Sequence, residues 1–192
     1  MTKNILIIVG HPDPKALSGR IARWYKEGAQ AAGHQVRLLD LSIASFDPIL
    51  HHGYSGAQKL EPALKKAQRD LLWAKHVVIV YPNWWGSMPA LLKGFFDRVL
   101  LPGFAFRYDP KRMRSEGLLK GRSARIVLLM RVASKEYRKK YPHRGETVKH
   151  SILEFCGVRP VRMTEIGPSE RLPELSLENI KRDITKLGAK AR

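Results

Sequence analysis

Residues Val77 to Tyr108 read VVIVYPNWWGSMPALLKGFFDRVLLPGFAFRY. The opening run, Val77-Val78-Ile79-Val80-Tyr81, is apolar and mostly β-branched, and Pro82 bounds it. Such a run predicts a central strand buried on both faces. Trp84 and Trp85 follow on a short loop with Gly86-Ser87-Met88. Pro89 suits the first turn of a helix, where its missing N–H costs nothing. Leu91, Leu92, Phe95, Phe96 and Val99 then give that helix a wide apolar face. Two adjacent indoles either join the core or form a floor for a flat aromatic ligand. Ligands of open α/β sheets bind at the carboxyl ends of the strands, which favours the floor.

The chain before this stretch supplies one βαβ unit, right-handed by default. Asn4 to Val9 (NILIIV) is an apolar run ending at Gly10 and predicts the first buried strand. His11 to Leu17 form a loop, and Ser18 is placed to N-cap a helix running to about Ala32, stopped by Gly33. Ile21, Trp24, Tyr25, Gly28 and Ala32 recur at helical spacing, and Val36 to Asp40 reads as the second strand. A helix start is an anion site through its free N–H groups and dipole, and His11, Lys15 and Ser18 stand close to this one. The loop is neither a dinucleotide fingerprint nor a P-loop, since Gly10 and Gly19 are its only glycines. Ser42 to Leu60 lacks periodicity, and Pro62 to Lys75 is an amphipathic helix. His51-His52 invites a metal reading, but no third ligand sits at a recognised spacing, so no metal is expected.

Beyond the decisive stretch, Pro110 to Arg122 reads as a basic linker and Ala124 to Met130 as the fourth strand. Arg131 to Gly145 is expected as a loop at that strand's carboxyl end, holding Tyr137, Tyr141 and His143. Thr147 to Cys156 reads as helix, Val158 to Ile166 as the fifth strand and Ser176 to Lys190 as a closing helix. Five β/α units in 192 residues predict one domain, a doubly wound three-layer α/β fold around a five-stranded parallel sheet.

No apolar run approaches the ~20 residues of a membrane span, and the N-terminus carries no cleavable leader pattern. Cys156 stands alone, which excludes an internal disulfide, fits a reducing cytoplasm and reads as a core thiol. A net charge of +18 implies anionic partners: phosphorylated cofactors, acidic proteins, nucleic acid or a membrane surface. Lys111-Arg112-Met113-Arg114 and Lys135 to Arg144 concentrate that charge.

The Gly10-His11-Pro12 turn, Phe46-Asp47-Pro48-Ile49 and the block from Pro82 to Val99, with Gly103-Phe104-Ala105-Phe106, resemble the flavodoxin-like NAD(P)H:quinone oxidoreductases. That family includes DT-diaphorase, the modulator-of-drug-activity reductases and the ancillary oxidoreductases of potassium-efflux systems. The resemblance extends to about Gly157 and implies a flavin, FMN or FAD, held by three loops. His11, Leu17 and Ser18 would hold its phosphate and ribityl chain, and Asn83, Trp84, Trp85 and Gly86 would line its ring. Where the family carries Thr-Thr-Gly-Gly, this chain reads Leu129-Met130-Arg131-Val132, so Arg131 would supply positive charge beside backbone donors. Tyr137 and His143 keep the spacing of the family's catalytic Tyr and His, which stabilise charge during hydride transfer.

The resemblance further implies NAD(P)H as donor, a quinone as acceptor, alternation of the two in one place, and a homodimer. An alternative reading is an ancillary flavoprotein docked on a membrane transporter. Nucleic-acid binding is not expected: the basic residues are spread over many elements, although Arg107-Tyr108 and Tyr137-Arg138 pair aromatics with cations.

Overall fold

The computed structural model describes residues 1–56, 58–111, 113–132, 134–170 and 172–191, so Arg112 of the basic linker lies outside the described residues. The apolar runs become β1 (Asn4–Val9), β3 (His76–Pro82) and β6 (Ser123–Leu129), and nearly every residue in them is buried. β2 (Gln35–Asp40) and β7 (Val161–Ile166) complete the sheet at its two edges. Strand order is β2-β1-β3-β6-β7, with every pairing parallel. The order reverses between β1 and β3, and it is outside the carboxyl ends at such a switch point that a crevice opens.

Alternation along the strands divides the core into two layers. Ile5, Ile7 and Val9 of β1, with Val78 and Val80 of β3, meet α1 (Leu17–Ala31) and α5 (Glu174–Lys190) on one face. Leu6, Ile8, Val77 and Ile79 meet α2 (Pro62–Trp73) and α3 (Ala90–Val99) on the other. The two helices of the first layer touch backbone to backbone. A Cβ on Gly28 would stand 2.0 Å from the Thr185 carbonyl oxygen, and one on Gly188 2.1 Å from that of Tyr25. Only glycine permits this approach at both positions.

Several expectations change. Ser18 is not the N-cap of α1: Ala16 occupies that position without a side-chain bond, and Ser18 lies inside the first turn, 1% exposed. The linker Pro110 to Arg122 is not structureless. β4 (Phe106–Asp109) and β5 (Arg114–Gly117) pair antiparallel as a small hairpin, fastened by Arg107 on Glu116 at 2.8 Å. The loop Arg131 to Gly145 contains the short helix α4 (Ser134–Lys140). Residues 147–154 form a helix of the wide π type, in which Phe155 N reaches back five residues to His150 O at 3.2 Å. The fifth strand begins at Val161, and the closing helix begins at Glu174.

The unpatterned segment 42–60 is tied down by a buried cation. Arg98 of α3 donates to the carbonyl oxygens of Asp47 and of Lys59, the latter at 3.0 Å, and pairs with Glu61 at 2.8 Å. Phe95 and Phe96 are core residues. Cys156 is buried, and that burial pushes its thiol up to about 11. No helix among the described residues is long and apolar enough to cross a membrane.

Candidate active site

Three loops meet beyond the carboxyl ends of β1, β3 and β6. The first runs from Gly10 into α1, with Gly10 N bonded to Val80 O at 2.8 Å. His11 Nδ1 accepts from Asp13 N, and Asp13 Oδ1 from Lys15 N, each at 2.9 Å, so short local bonds shape the loop. At its end α1 starts with no side-chain cap and no acid in its first turn. That leaves a positive helix terminus facing the loop. Leu17 is half-buried against the core layer of α1.

The second loop is a tight turn. Trp84 N bonds Ser87 O at 3.0 Å and Ser87 N bonds Trp84 O at 2.9 Å, with Trp85 at φ 53° and Gly86 at φ 77° between them. Positive φ at both central residues is the type I′ pattern, which suits Gly86 and costs Trp85 on the order of 1–2 kcal/mol. Trp85 is fully exposed and Trp84 is 43% exposed, which excludes the core reading for both indoles. A strained backbone presenting an unpacked indole is the kind of feature that concentrates at ligand sites. Trp84 stands edge-on to His11 with ring centroids 5.3 Å apart, joining the first two loops.

The third loop closes the cavity. Asn83, Met130, Arg131, Val132, Tyr137 and Tyr141 surround a space of about 430 Å³, with Glu136 and Lys140 also on its wall. Asn83 N is anchored on Leu129 O at 2.7 Å, and a Cβ on Gly86 would lie 3.9 Å from the Tyr137 hydroxyl. Tyr137 and Tyr141 pack together with centroids 4.6 Å apart. Arg131 is exposed and pairs with Glu170 at 3.1 Å. His143 is not brought into this cavity: it is 82% exposed and bonds Glu146 through Nδ1 at 2.8 Å.

Sequence reasoning did not single out Glu136 and Lys140. The signal was available, since Glu136/Lys140 and Tyr137/Tyr141 are both four apart and one helical turn sets each pair on one side.

Two buried oxygens at these loops lack any partner. Ser18 Oγ and Asn83 Oδ1 belong to the five buried side-chain polar atoms without one among the described residues. A buried polar group left unpaired costs on the order of 1–3 kcal/mol, so the pair marks places a polar ligand would complete. A phosphate at the start of α1 and a flat polar ring beside Asn83 and the indoles fit this donor and acceptor set. His51 Nε2 bonds Asp47 Oδ2 at 2.7 Å, and no metal-binding cluster occurs among the described residues.

Comparison with known proteins agrees with this architecture. Residues 3–189 match the family described by its flavodoxin-like fold. An uncharacterized NAD(P)H oxidoreductase of Haemophilus influenzae is 31% identical over 170 residues, covering 85% of this chain and 83% of its own. The mouse ribosyldihydronicotinamide dehydrogenase [quinone] is 30% identical over 182 residues, covering 82% and 78%. The crystal structure of Smu.1420 from Streptococcus mutans UA159 superposes with a TM-score of 0.82 at 28% identity, covering 97% of this chain and 98% of that one. An uninterrupted parallel sheet with its crevice at the switch point and a match along almost the whole length lead to one conclusion: the chain belongs to the family of flavodoxin-like NAD(P)H:quinone oxidoreductases and is an oxidoreductase.

Proposed function

We propose that the chain is a flavin-dependent NAD(P)H:quinone oxidoreductase in which nicotinamide donor and quinone acceptor take turns in the cavity beside Asn83. The observation that carries this reading is the pair of partnerless buried oxygens, Ser18 Oγ and Asn83 Oδ1. The relatives' NAD(P)H oxidoreductase and quinone dehydrogenase names support the donor and the acceptor.

Flavin, as FMN or FAD, supplies the hydride and electron chemistry when bound. The chain's own residues do the rest. Ser18 and the α1 terminus hold the phosphate, with His11 and Leu17 beside the ribityl chain. Asn83 bonds a ring edge, while Trp84, Trp85 and Gly86 border the ring. Arg131 adds positive charge at the mouth. Tyr137, on the cavity wall with its hydroxyl near Gly86, would donate to negative charge as it develops on the reacting ligand. A donor so placed is worth up to ~2.7–4 kcal/mol.

The test has two parts. Titrating apo-protein with FMN and with FAD is expected to quench tryptophan fluorescence saturably at one flavin per chain; absence of saturable quenching with either overturns the proposal. Rapid mixing of loaded enzyme with NADPH is expected to show reduction slowed by about 10–10² in Tyr137→Phe. His143→Ala, altered outside the cavity, is expected to stay near the wild-type rate. Equal slowing in the two variants would restore His143 as the second donor.

The functional unit in this reading is a C2 homodimer, each copy covering the other's apolar surface. A second groove of about 430 Å³, lined by Tyr54, Phe96, Phe106, Ile152 and Phe155, supports it, because Tyr54 and Phe155 remain exposed there. Sedimentation at micromolar concentration is expected to give the dimer, and Phe155→Asp the monomer. A fully active wild-type monomer contradicts this assembly.

A further inference from the structure

Glu165 stands next to last in β7, and its carboxylate is 8% exposed. Two guanidiniums from one neighbouring segment converge on it. Arg138, in α4, donates through Nη2 to Oε2 at 2.9 Å. Arg144, just past α4 and itself 8% exposed, closes on Oε1. Arg144 also donates through Nη1 to the carbonyl oxygens of Pro142 at 3.1 Å and of Tyr141 at 3.3 Å. One carboxylate thus binds the helix and the chain leaving it to the rigid edge of the sheet.

On its own this segment would not keep its shape. α4 has seven residues, too few for a helix to persist without tertiary anchoring. Between 134 and 144 it carries Lys135, Arg138, Lys139, Lys140 and Arg144 against Glu136 alone, so it repels itself. β7 and the turn after it secure both ends. Ser169 N donates to Met130 O at 2.8 Å, and Gly167 lies so close that an added Cβ would stand 2.3 Å from Val132 O. At the far end Gly145, at φ 70°, passes over the Met163 methyl, 2.6 Å from where its Cβ would be. Between these anchors Tyr137 and Tyr141 form one wall of the cavity.

We infer that Glu165 is a positioning residue: through Arg138 and Arg144 it sets the tyrosine wall and thereby the affinity of the cavity for the flat ligand entering it. The kinetic side of this inference rests on the quinone reductase reading. Charge-assisted bonds of this kind fix geometry as well as contribute energy, and small displacements of a positioning group are costly to a site.

Glu165→Gln keeps the size and removes the charge, while Arg138→Gln cuts only the exposed arm and leaves folding intact. In flavin-loaded enzyme given a water-soluble naphthoquinone, Glu165→Gln is expected to raise KM about tenfold with kcat within about twofold. Arg138→Gln is expected to raise KM by about threefold. A merely structural loss would lower the active fraction, and so kcat, at constant KM. Amide hydrogen exchange supplies the readout independent of activity. Residues 134–145 are expected to exchange at least about tenfold faster in both variants, with β6 unchanged. Unchanged exchange in 134–145 overturns the clamp, and loosened exchange with unchanged KM overturns its control of the ligand. Should Glu165→Gln fail to fold, the same two outcomes are read from Arg138→Gln. A wild-type chain inert toward quinones would sink the functional reading, and the exchange data would then uphold or overturn the clamp alone.

Discussion

Ser18→Ala is expected to stabilise the flavin-free protein and to weaken its hold on flavin. The two signs are opposite because the hydroxyl has no partner among the described residues of the folded chain. Ser18 is 1% exposed and its Oγ is buried without a hydrogen bond. An orphaned buried hydroxyl costs on the order of 1–3 kcal/mol, and alanine adds a few tenths of helix propensity in α1. Removing the hydroxyl is therefore expected to raise apo stability by about 1 kcal/mol. A hydrogen bond to a charged phosphate contributes about 1.5–3 kcal/mol, so the flavin Kd is expected to rise about 10–10²-fold. Urea unfolding of apo-protein and fluorescence titration with flavin measure the two effects separately. Lower apo stability with an unchanged Kd would make Ser18 an ordinary packing residue and remove the phosphate from the start of α1.

The second large effect lies at the opposite end of the sheet. His76 opens β3 and is 1% exposed, with Nδ1 against Ser123 Oγ at 2.8 Å and Nε2 against Tyr25 Oη at 3.1 Å. Burial, and then the positive charges of Lys3, Arg125, Arg162 and His34, push this imidazole down from 6.5 to about 3. The unfolded chain binds a proton there near pH 6.5, while the folded chain refuses one until about pH 3. Stability is therefore complete above about pH 6.5 and falls by ~1.4 kcal/mol per pH unit as acid is added, until about pH 3. Between pH 6.5 and 4.5 this one group is expected to remove on the order of 2 kcal/mol. His76→Gln does not titrate, so its urea-derived stability is expected to decline less steeply over that window by this amount. Parallel curves for the two proteins would show that His76 is protonated in the fold or solvated.

The acid-sensitive histidine and the cavity occupy opposite ends of β3, whose other end, Pro82, leads into Asn83. Acid unfolding should then act through the frame of the sheet rather than through the ligand loops. A flavin bound at those loops would still shift the apparent midpoint by mass action. The pH series belongs in the apo-protein for that reason.

How much of this was legible follows from where each signal resides. β1, β3 and β6 are buried on both faces, so their sequences are uninterrupted apolar runs that declare themselves without knowledge of any neighbour. α1 and α3 carry an apolar stripe for the same reason. From these alone the parallel sheet and the crevice at its carboxyl edge follow, and so does the placing of Ser18 near the start of α1 and of Asn83 on the loop after β3. The β4–β5 hairpin could not be read this way. Its strands are short and half-exposed, and Arg107 and Glu116 hold it together from opposite sides of a turn. Ser18 has the residue type of a cap, and only the packed structure shows it inside the helix with its hydroxyl buried and waiting.

The exposure of Trp85 likewise depends on a turn with two positive φ angles, which no spacing of apolar residues announces. Local pattern determined the layers, because burial on a strand or helix face is written into neighbouring residues. Tertiary structure alone decided that Glu165, Arg138 and Arg144 form one cluster and that Tyr137 lines the cavity while His143 stays outside. Those outcomes depend on charges and side chains from distant segments meeting where β7 lies beside β6, and such meetings leave no periodic trace in the chain.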